Sequence, residues 1–155
     1  MQANLQSLRE KLLEHGIQAS APRLAIADFV LNTRSHPTAE EIKIEVEKKM
    51  PSVSLATIYN SLHLFVEKGL IVAVKDPASD KWRYDCNTKP HFHFFDEASG
   101  QLVDLEPSVL RIQPDFSKLY ADFEVNSIEV TVKGKLRRSS TKNKSSNERK
   151  SLDDN

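Results

Sequence analysis

Two histidines that stand two residues apart are the feature of this sequence most suggestive of chemistry. The stretch KPHFHFFDEASGQLVD, residues 89–104, contains His91 and His93 and, further on, Asp104. In an extended strand, side chains two positions apart point to the same face of the sheet. The two imidazoles would therefore lie side by side and face a common partner, for which a metal ion is one candidate. The pair alone fits two solvated or half-buried histidines equally well, so the surrounding elements must decide.

The composition is that of a globular protein without a membrane-spanning segment. Of the 155 residues, 39% are hydrophobic and 28% are charged, a balance typical of one ordinary domain or two small ones. No apolar run approaches the roughly 20 residues needed to cross a bilayer, and the first residues form an amphipathic pattern instead of a signal peptide. With Cys86 as the single cysteine, no internal disulfide is possible, and one chain cannot build a cysteine-based zinc site. These features predict a cytoplasmic protein.

The charge balance gives no simple indication of a nucleic-acid partner. The formal net charge is zero, and residues 1–88 carry 11 Lys and Arg residues against 11 Asp and Glu residues. Domains that bind nucleic acid usually carry a basic patch. If this chain binds DNA, the contact must therefore depend on local geometry and on one face from which acidic residues are excluded.

Three helices are predicted in the first third of the chain. The first covers residues 2–14 and stops at Gly16, and the second begins near Pro22, a residue favoured in the first turn. Thr38 and Glu41 have the spacing of a capping box at the start of the third helix. Each of these segments carries apolar residues at helical spacing, so each is expected to bury one face.

A fourth helix is predicted over SLATIYNSLHLFVEKG, residues 54–69. Ser54 can cap its start, and Gly69 can adopt the left-handed conformation at its end. One face carries apolar residues, and the other is polar, aromatic and free of acidic residues before Glu67. The next stretch, LIVAVKDPASDKWRYD, predicts two short strands around a turn. This order of helices and hairpin is that of a winged helix-turn-helix, which lays its last helix in the DNA major groove.

From about residue 90 the hydrophobic pattern changes to the alternation typical of strands. The segments HFHFFDE, GQLVDLE and EVNSIEVTVKGKL are predicted strands, and PSVLRI with DFSKLYADF could supply one short helix between the last two. This part has few apolar residues with which to bury a core, so we expect it to pair with a second copy in a homodimer. Residues 137–155 are polar, Ser-rich and free of aromatic residues, which predicts a disordered tail.

The predicted fold class is therefore α+β, with an N-terminal winged helix-turn-helix followed by a small α/β dimerisation domain. The DNA-binding domain is expected at residues 1–84, a hinge at 85–90, the dimerisation domain at 91–136 and the tail at 137–155. The H-x-H pair lies at the start of the second domain, directly after the hinge.

Several stretches of the chain resemble one family of bacterial regulators. RLAIADFVLNTRSHPTAEEI, PSVSLATIYNSLHLFVEKGLI, RYDCNTKPHFHF and GQLVDLE occur in the order and spacing of the ferric uptake regulator superfamily of metal-dependent repressors. The resemblance extends from about residue 5 to residue 136 and is greatest to the peroxide-sensing repressors. It implies a transcriptional repressor, and not an enzyme, that binds a double-stranded DNA operator with paired half-sites as a homodimer.

The same resemblance implies one regulatory metal site per chain, between the two domains. The family's ligands are a His before the third helix, a carboxylate after the wing, an H-x-H pair and a later carboxylate. Here these positions hold His36, Asp85, His91, His93 and Asp104. Imidazole and carboxylate donors suit Fe(II) or Mn(II), the expected cofactors, and Zn(II) could replace them in vitro. Because the ligands come from both domains, a bound metal would favour one arrangement of the two, as a switch requires.

Asp104 favours hydrogen peroxide as the signal that the protein senses. By resemblance, the peroxide-sensing repressors carry Asp at this position and the iron-uptake repressors carry Glu. The implied mechanism is Fe(II)-catalysed oxidation of a ligand histidine, His36 or His91, by hydrogen peroxide, followed by loss of the metal and release of DNA. The alternative within the family is an iron- or manganese-responsive uptake repressor without peroxide sensing. A non-haem iron enzyme is disfavoured because about half of the chain is a DNA-binding unit. A winged helix that binds only proteins is disfavoured because the ligand set is complete.

The chain departs from many of these relatives at a second metal site. By resemblance, two C-x-x-C pairs would hold a structural zinc, but Asp96 and Ser99 occupy the first pair of positions and the second pair is missing. We therefore expect no structural zinc and a second domain that depends on packing and dimerisation. Cys86 is expected to be a small buried residue and not a redox-active thiol.

Four residues are predicted to contact DNA. Tyr59 and Asn60, on the polar face of the fourth helix, are candidates for base or backbone contacts. Thr57 and, by resemblance, Arg23 are candidates for phosphate contacts. Tyr59 could instead complete the core of the helical domain. The zero net charge predicts that DNA affinity depends less steeply on salt than in a basic relative with the same footprint.

Overall fold

The computed structural model describes residues 2–110, 123–125 and 128–137. In this part of the chain, four α-helices precede five β-strands, and a short 3-10 helix, Pro107–Val109, follows the fourth strand. The helices are α1 (Gln2–Glu14), α2 (Ala21–Asn32), α3 (Ala39–Glu47) and α4 (Leu55–Glu67). The strands are β1 (Val72–Lys75), β2 (Trp82–Asp85), β3 (Phe92–Asp96), β4 (Gln101–Leu105) and β5 (Thr131–Gly134). None of the described helices is long and apolar enough to cross a membrane.

Polar side chains fix the starts of α2, α3 and α4. The Ser20 side chain accepts a hydrogen bond from the backbone N–H of Arg23, and Ser54 caps α4 in the same way. Thr38 and Glu41 form the predicted capping box, since each side chain accepts a hydrogen bond from the other residue's backbone N–H. The caps satisfy N–H groups that have no partner within the helix. The cap of α3 also fixes the end of the loop that joins α2 to α3.

A single hydrophobic core holds the helices together. The fully buried apolar side chains recur at helical spacing on all four helices and include Leu12, Ile26, Ile42, Ile58, Leu62 and Phe65. Gly69 follows α4 with a φ of +69°, the left-handed conformation that glycine adopts without steric cost. Because α4 buries its apolar face here, its polar face points outward.

Strands β1 and β2 form an antiparallel hairpin, in which Val72 lies opposite Asp85. The backbone N–H of Tyr84 donates to the carbonyl of Pro37 at 3.0 Å, which ties the hairpin to the loop before α3. The buried Tyr84 side chain joins the helical core. Helices and hairpin together form the predicted winged helix-turn-helix.

The second sheet has the strand order β4-β3-β5. Strand β3 is antiparallel to β4 and parallel to β5, and the register places His93 directly opposite Asp104. Val74 of the hairpin packs against Phe95 and Leu102 of this sheet in a small apolar cluster. The hairpin therefore lies between the helices and the second sheet.

The predicted α+β fold class is confirmed, although the later elements differ in extent. The predicted strand EVNSIEVTVKGKL is a strand only at Thr131–Gly134 among the described residues of that segment. Most of the helix predicted around residues 107–123 falls at 111–122, outside the described residues. The tail predicted at 137–155 lies outside them too, apart from its first residue.

Candidate metal centre

His36 lies in the loop between α2 and α3, and only 2% of the residue is exposed. Its φ of +50° is the one positive φ at a non-glycine residue within the described ranges. This left-handed conformation costs roughly 1–2 kcal/mol for an L-residue, although histidine is enriched there relative to most side chains. Contacts around the loop must therefore hold this shape, in which the imidazole reaches Asp104 of β4.

The other four predicted ligands come from the end of the hairpin and from the second sheet. Asp85 ends β2 and is buried, His91 directly precedes β3, and the buried His93 lies within β3. Asp104 lies on β4, opposite His93. His91 and His93 point to the same side, as the H-x-H spacing predicts, with their Nε2 atoms 2.9 Å apart.

The side chains of these five residues converge on one point. Asp85 Oδ2 lies 3.5 Å from His36 Nε2, 2.9 Å from His91 Nε2 and 3.6 Å from His93 Nε2. Asp104 Oδ1 lies 2.7 Å from His36 Nε2 and 3.8 Å from His91 Nε2. One ligand atom from each residue lies within 4.8 Å of all the others. Ligands on opposite sides of a metal would be about 4.2 Å apart at the usual bond length of about 2.1 Å, so the cluster has the dimensions of a metal site.

Three buried atoms of this cluster have no hydrogen-bond partner within the described part of the chain. They are Nδ1 and Nε2 of His36 and Oδ2 of Asp85. Asp104 Oδ1 is close to His36 Nε2, but the contact lacks hydrogen-bond geometry. Buried polar atoms are nearly always satisfied. A metal ion would satisfy His36 Nε2 and Asp85 Oδ2 at once, so the residues fit a metal ion.

The electrostatics of the cluster favour a cation. Burial opposes protonation of His36, but the Asp85 and Asp104 carboxylates outweigh burial and raise the pKa of this imidazole. Burial also disfavours the charged form of Asp85, but His36, His93 and the Asn87 N–H outweigh it and hold the pKa of that carboxyl well below its usual value. Both shifts favour positive charge between the imidazoles and the carboxylates. Nitrogen and oxygen donors in this proportion suit Fe(II), Mn(II) or Zn(II) and suit Ca(II) or Cu(I) poorly.

Asn87 belongs to this centre, and the sequence reasoning did not include it. Its backbone N–H donates to Asp85 Oδ1 at 2.8 Å, and its side-chain Nδ2 donates to Asp104 Oδ2 at 3.0 Å. One oxygen of each carboxylate is thereby engaged, and the other oxygen faces the histidines. An Asn two positions after Asp85 suggests an Asx turn, but the contact with Asp104 depends on the fold.

Cys86 is half-buried, and not fully buried as the sequence predicted. Its Sγ donates to the carbonyl of Thr33 at 3.4 Å. Burial and the nearby Asp85 carboxylate raise the pKa of the thiol. Because the thiolate is the reactive form, these surroundings support the expectation that Cys86 is not a redox-active thiol.

Asp96 and Ser99, which stand where relatives would carry a cysteine pair, contact each other. Ser99 Oγ donates to the buried Asp96 carboxylate at 2.5 Å, and the backbone N–H of Leu136 donates to the same carboxylate at 3.1 Å. Asp96 therefore joins the end of β3 to the segment that follows β5. That the chain holds no structural zinc stays a prediction.

The predicted DNA-contacting residues lie on two helices. Tyr59 and Asn60 are exposed on α4, Thr57 is half-buried near the start of α4, and Arg23 lies in the first turn of α2. Tyr59 is 43% exposed, so the alternative that it completes the core is wrong. Its hydroxyl donates to Glu40 of α3 at 3.1 Å.

Glu40 is an acidic residue at this surface that the pattern of α4 alone does not reveal. Its Oε2 lies 3.6 Å from Nζ of Lys81 in the turn of the hairpin, and its Oε1 accepts from Tyr59. The surface around α4 therefore carries an acidic group, although the sequence of α4 itself has no acidic residue before Glu67.

Comparisons with known proteins identify the family of this chain. The sequence pattern of the Ferric uptake regulator family matches residues 14–133. The Peroxide-responsive repressor PerR of Staphylococcus epidermidis is 31% identical over 141 residues, which cover 86% of this chain and 93% of that protein. The Peroxide operon regulator of Bacillus subtilis is 37% identical over 102 residues, or 64% of this chain and 68% of that protein.

A solved structure gives the same result for the fold. The Campylobacter jejuni peroxide stress regulator superimposes with a TM-score of 0.60 at 27% identity, over 87% of this chain and 97% of that one. A winged helix-turn-helix followed by a small sheet, with histidines and carboxylates gathered between them, defines a class of regulators. The chain belongs to the ferric uptake regulator family.

Proposed function

We propose that this chain is a metal-dependent, DNA-binding transcriptional repressor that senses hydrogen peroxide. The observation that carries the proposal is the convergence of five ligand atoms, from His36, Asp85, His91, His93 and Asp104, between the winged helix and the second sheet. Fe(II) or Mn(II) would be the cofactor, at one site per chain. The identity of Asp104 and the likeness to peroxide-responsive regulators support peroxide as the signal.

The ligands couple metal binding to the arrangement of the domains. The proposed units are residues 1–84 for DNA binding, 85–90 for the hinge and 91–136 for dimerisation and metal sensing. His36 comes from the first unit, Asp85 begins the hinge, and the remaining ligands come from the third. A single arrangement of these units allows all five ligands to reach one ion, so the ion selects that arrangement.

Exposed residues of the winged helix would contact the operator. In this proposal Tyr59 and Asn60 contact bases or backbone, and Thr57 and Arg23 contact phosphates. In a homodimer, two such units would bind two half-sites at a spacing set by the domain arrangement. Among the described residues after position 100, the large apolar side chains that remain exposed support pairing with a second copy; they are Val103, Val109, Phe123, Ile128 and Leu136.

Bound Fe(II) would supply the one-electron chemistry that activates hydrogen peroxide beside the ligand imidazoles. In the net reaction, peroxide transfers one oxygen atom to a ring carbon of His36 or His91 and leaves as water. The oxidised ring is a poorer ligand, so the remaining four side chains no longer hold the two units in one arrangement. DNA release follows from this loss of constraint.

Peptide mass spectrometry after brief hydrogen peroxide exposure tests the proposal. Trypsin would release His36 in SHPTAEEIK. His91 and His93 would share another peptide, which begins at Tyr84 because cleavage before Pro90 is blocked. We expect one added oxygen on His36 or His91 in Fe(II)-loaded protein, together with loss of DNA binding. Mn(II)-loaded protein should remain unmodified. His15 and His63, on two further tryptic peptides, are internal controls that should not gain oxygen.

The same experiment distinguishes the alternative within the family. Unmodified ligand histidines in Fe(II)-loaded protein, with DNA binding that still depends on metal, would identify an iron- or manganese-responsive uptake repressor. Equal oxidation of His15 and His36 would indicate reaction in bulk solvent and would contradict sensing at this site.

A further inference from the structure

The side chain of Arg83 links three segments that surround the candidate metal centre. Arg83 lies on β2, and 15% of its side chain is exposed. Its Nε donates to Asp76 Oδ2 in the turn of the hairpin. Nη1 donates to the carbonyl of His36 at 3.1 Å, and Nη2 donates more weakly to the carbonyl of Gly100 at 3.4 Å. The guanidinium therefore contacts the hairpin, the ligand loop and the turn between β3 and β4.

The contact with His36 falls where the loop requires support. His36 has the left-handed φ of +50°, and its carbonyl accepts from a permanently charged donor. Thr38 also forms an isolated antiparallel bridge with Arg83, so the backbone of β2 runs beside the end of the loop. Arg83 thus holds the ligand loop through both its backbone and its side chain.

Asp76 holds the guanidinium in this orientation. Asp76 is buried, and its Oδ1 accepts from the backbone N–H of Ala78 at 2.7 Å while Oδ2 accepts from Arg83. Burial disfavours its charged form, but these donors outweigh burial and lower the pKa of the carboxyl. Asp76 therefore stays ionised at neutral pH and fixes one edge of the guanidinium, leaving the other donors to His36 and Gly100.

We propose that Arg83 is a positioning residue for the metal site. It holds His36 in its ligand conformation and joins the ligand loop to the second sheet before the metal binds. The inference rests on the proposed function, because it requires His36 to be a ligand. Groups that orient a ligand typically contribute about 10–100-fold to metal affinity, because the site then needs less reordering on binding.

Arg83→Lys tests this role, since lysine keeps the charge and can pair with Asp76 but cannot reach three acceptors with a planar fork. Calorimetric titration with Mn(II) should give a Kd about 10-fold or more above that of the natural chain. The unfolding temperature of the metal-free protein, measured in parallel, shows whether Arg83 also stabilises the fold without metal. If Arg83→Lys fails to fold, Asp76→Asn serves as the second test. This variant removes the carboxylate that orients the guanidinium and should also raise the Kd for Mn(II).

Lys133→Ala is the matched control. Lys133 Nζ donates to the carbonyl of Pro77 at 3.2 Å, so it also joins the second sheet to the hairpin, but its contact is with the hairpin turn and not with the ligand loop. The Mn(II) Kd of Lys133→Ala should equal that of the natural chain.

An unchanged Kd in Arg83→Lys, with or without a lower unfolding temperature, would overturn the assignment while leaving the metal site intact. Equal weakening by Lys133→Ala would also overturn it, since any bond between hairpin and sheet would then suffice. If the natural chain itself binds no Mn(II), the proposed function fails, and the role of Arg83 fails with it.

Discussion

The Nε2 atoms of His91 and His93 lie 2.9 Å apart. Nδ1 of His91 lies 2.7 Å from the carbonyl of Lys89. A carbonyl only accepts hydrogen bonds, so Nδ1 of His91 carries a proton, and Nε2 is the ring nitrogen left for a metal ion. Metal-ligating histidines commonly donate their second nitrogen in this way. The His91 ring is thus held in the tautomer that a metal ion requires.

Replacing either histidine of this pair should abolish tight metal binding. In His93→Ala we expect the Kd for Mn(II) to rise by more than about 100-fold, because loss of a ligand exceeds the effect of losing a group that only orients one. Equilibrium titration with Mn(II) measures this change. His15→Ala is the control, since His15 lies at the end of α1 and contacts the carbonyl of Lys11. A Kd unchanged in His93→Ala would remove this residue from the ligand set.

Asn87→Ala should weaken metal binding without removing a ligand. The variant loses the side-chain donor to Asp104 Oδ2 but keeps the backbone N–H that contacts Asp85. Asp104 is 37% exposed and would be free to rotate away from the histidines. We expect a rise of about 10-fold in the Mn(II) Kd, measured by the same titration. Thr88→Ala, at the exposed neighbouring position, should bind as the natural chain does, and an equal loss in both variants would point to the hinge in general.

The features that the sequence predicts well are those encoded within short segments. The capping box of Thr38 and Glu41, the N-cap of Ser54 and the shared face of His91 and His93 depend on residues within four positions of each other. These patterns indicate both the elements and the positions of several candidate ligands.

The side chains that hold the ligands and Tyr59 in place could not be predicted from the sequence, because their partners are distant in the chain. Asn87 meets Asp104 over 17 positions, and Glu40 meets Tyr59 over 19. Arg83 reaches His36 over 47 positions. Each of these residue types is ordinary at an exposed position, and no local pattern separates them from solvated side chains. The left-handed conformation of His36 is equally hidden, because it depends on the contacts made to the loop.

Asp96→Asn should destabilise the second sheet. The carboxylate accepts hydrogen bonds from Ser99 Oγ and from the backbone N–H of Leu136, and an amide would turn one of these acceptors into a donor. The midpoint of denaturant unfolding is expected to fall, and Ser99→Ala should give a smaller decrease because one donor remains. Glu97→Gln, at the adjacent exposed position, is the control. A midpoint equal to that of the natural chain would show that Asp96 does not hold the two segments together.

Asp76 should contribute to the free energy of unfolding at neutral pH, and this contribution should be lost in acid. Its pKa is lowered in the folded state, because the Ala78 N–H and Arg83 outweigh the effect of burial. A carboxyl of this kind stabilises the fold above its unfolded pKa of about 3.9, and the contribution disappears as the pH falls through the lower folded pKa. Asp76→Asn should therefore be less stable than the natural chain by about 1 kcal/mol at neutral pH. Urea unfolding at several pH values should show this difference shrink as the pH falls below about 4 and vanish only below the lower folded pKa of Asp76. A difference constant with pH would contradict the pairing.

Glu40→Gln should strengthen DNA binding and make it more sensitive to salt. Glu40 lies 3.6 Å from Lys81 and accepts from the Tyr59 hydroxyl, so it neutralises positive charge at the proposed DNA-binding surface. Without this carboxylate, Lys81 becomes available to one phosphate. The slope of log affinity against log salt concentration should then steepen by about 0.9, the value for one additional phosphate contact.

Fluorescence anisotropy with a labelled operator fragment and Mn(II)-loaded protein measures this slope. Glu45→Gln is the matched control, because Glu45 lies on the same helix but pairs with Lys48 and not with Lys81. Glu45→Gln removes the same formal charge as Glu40→Gln. A general electrostatic effect would therefore steepen the salt slope in both variants. An unchanged slope in Glu40→Gln would show that Lys81 gains no phosphate contact when the carboxylate is removed, and would contradict the prediction.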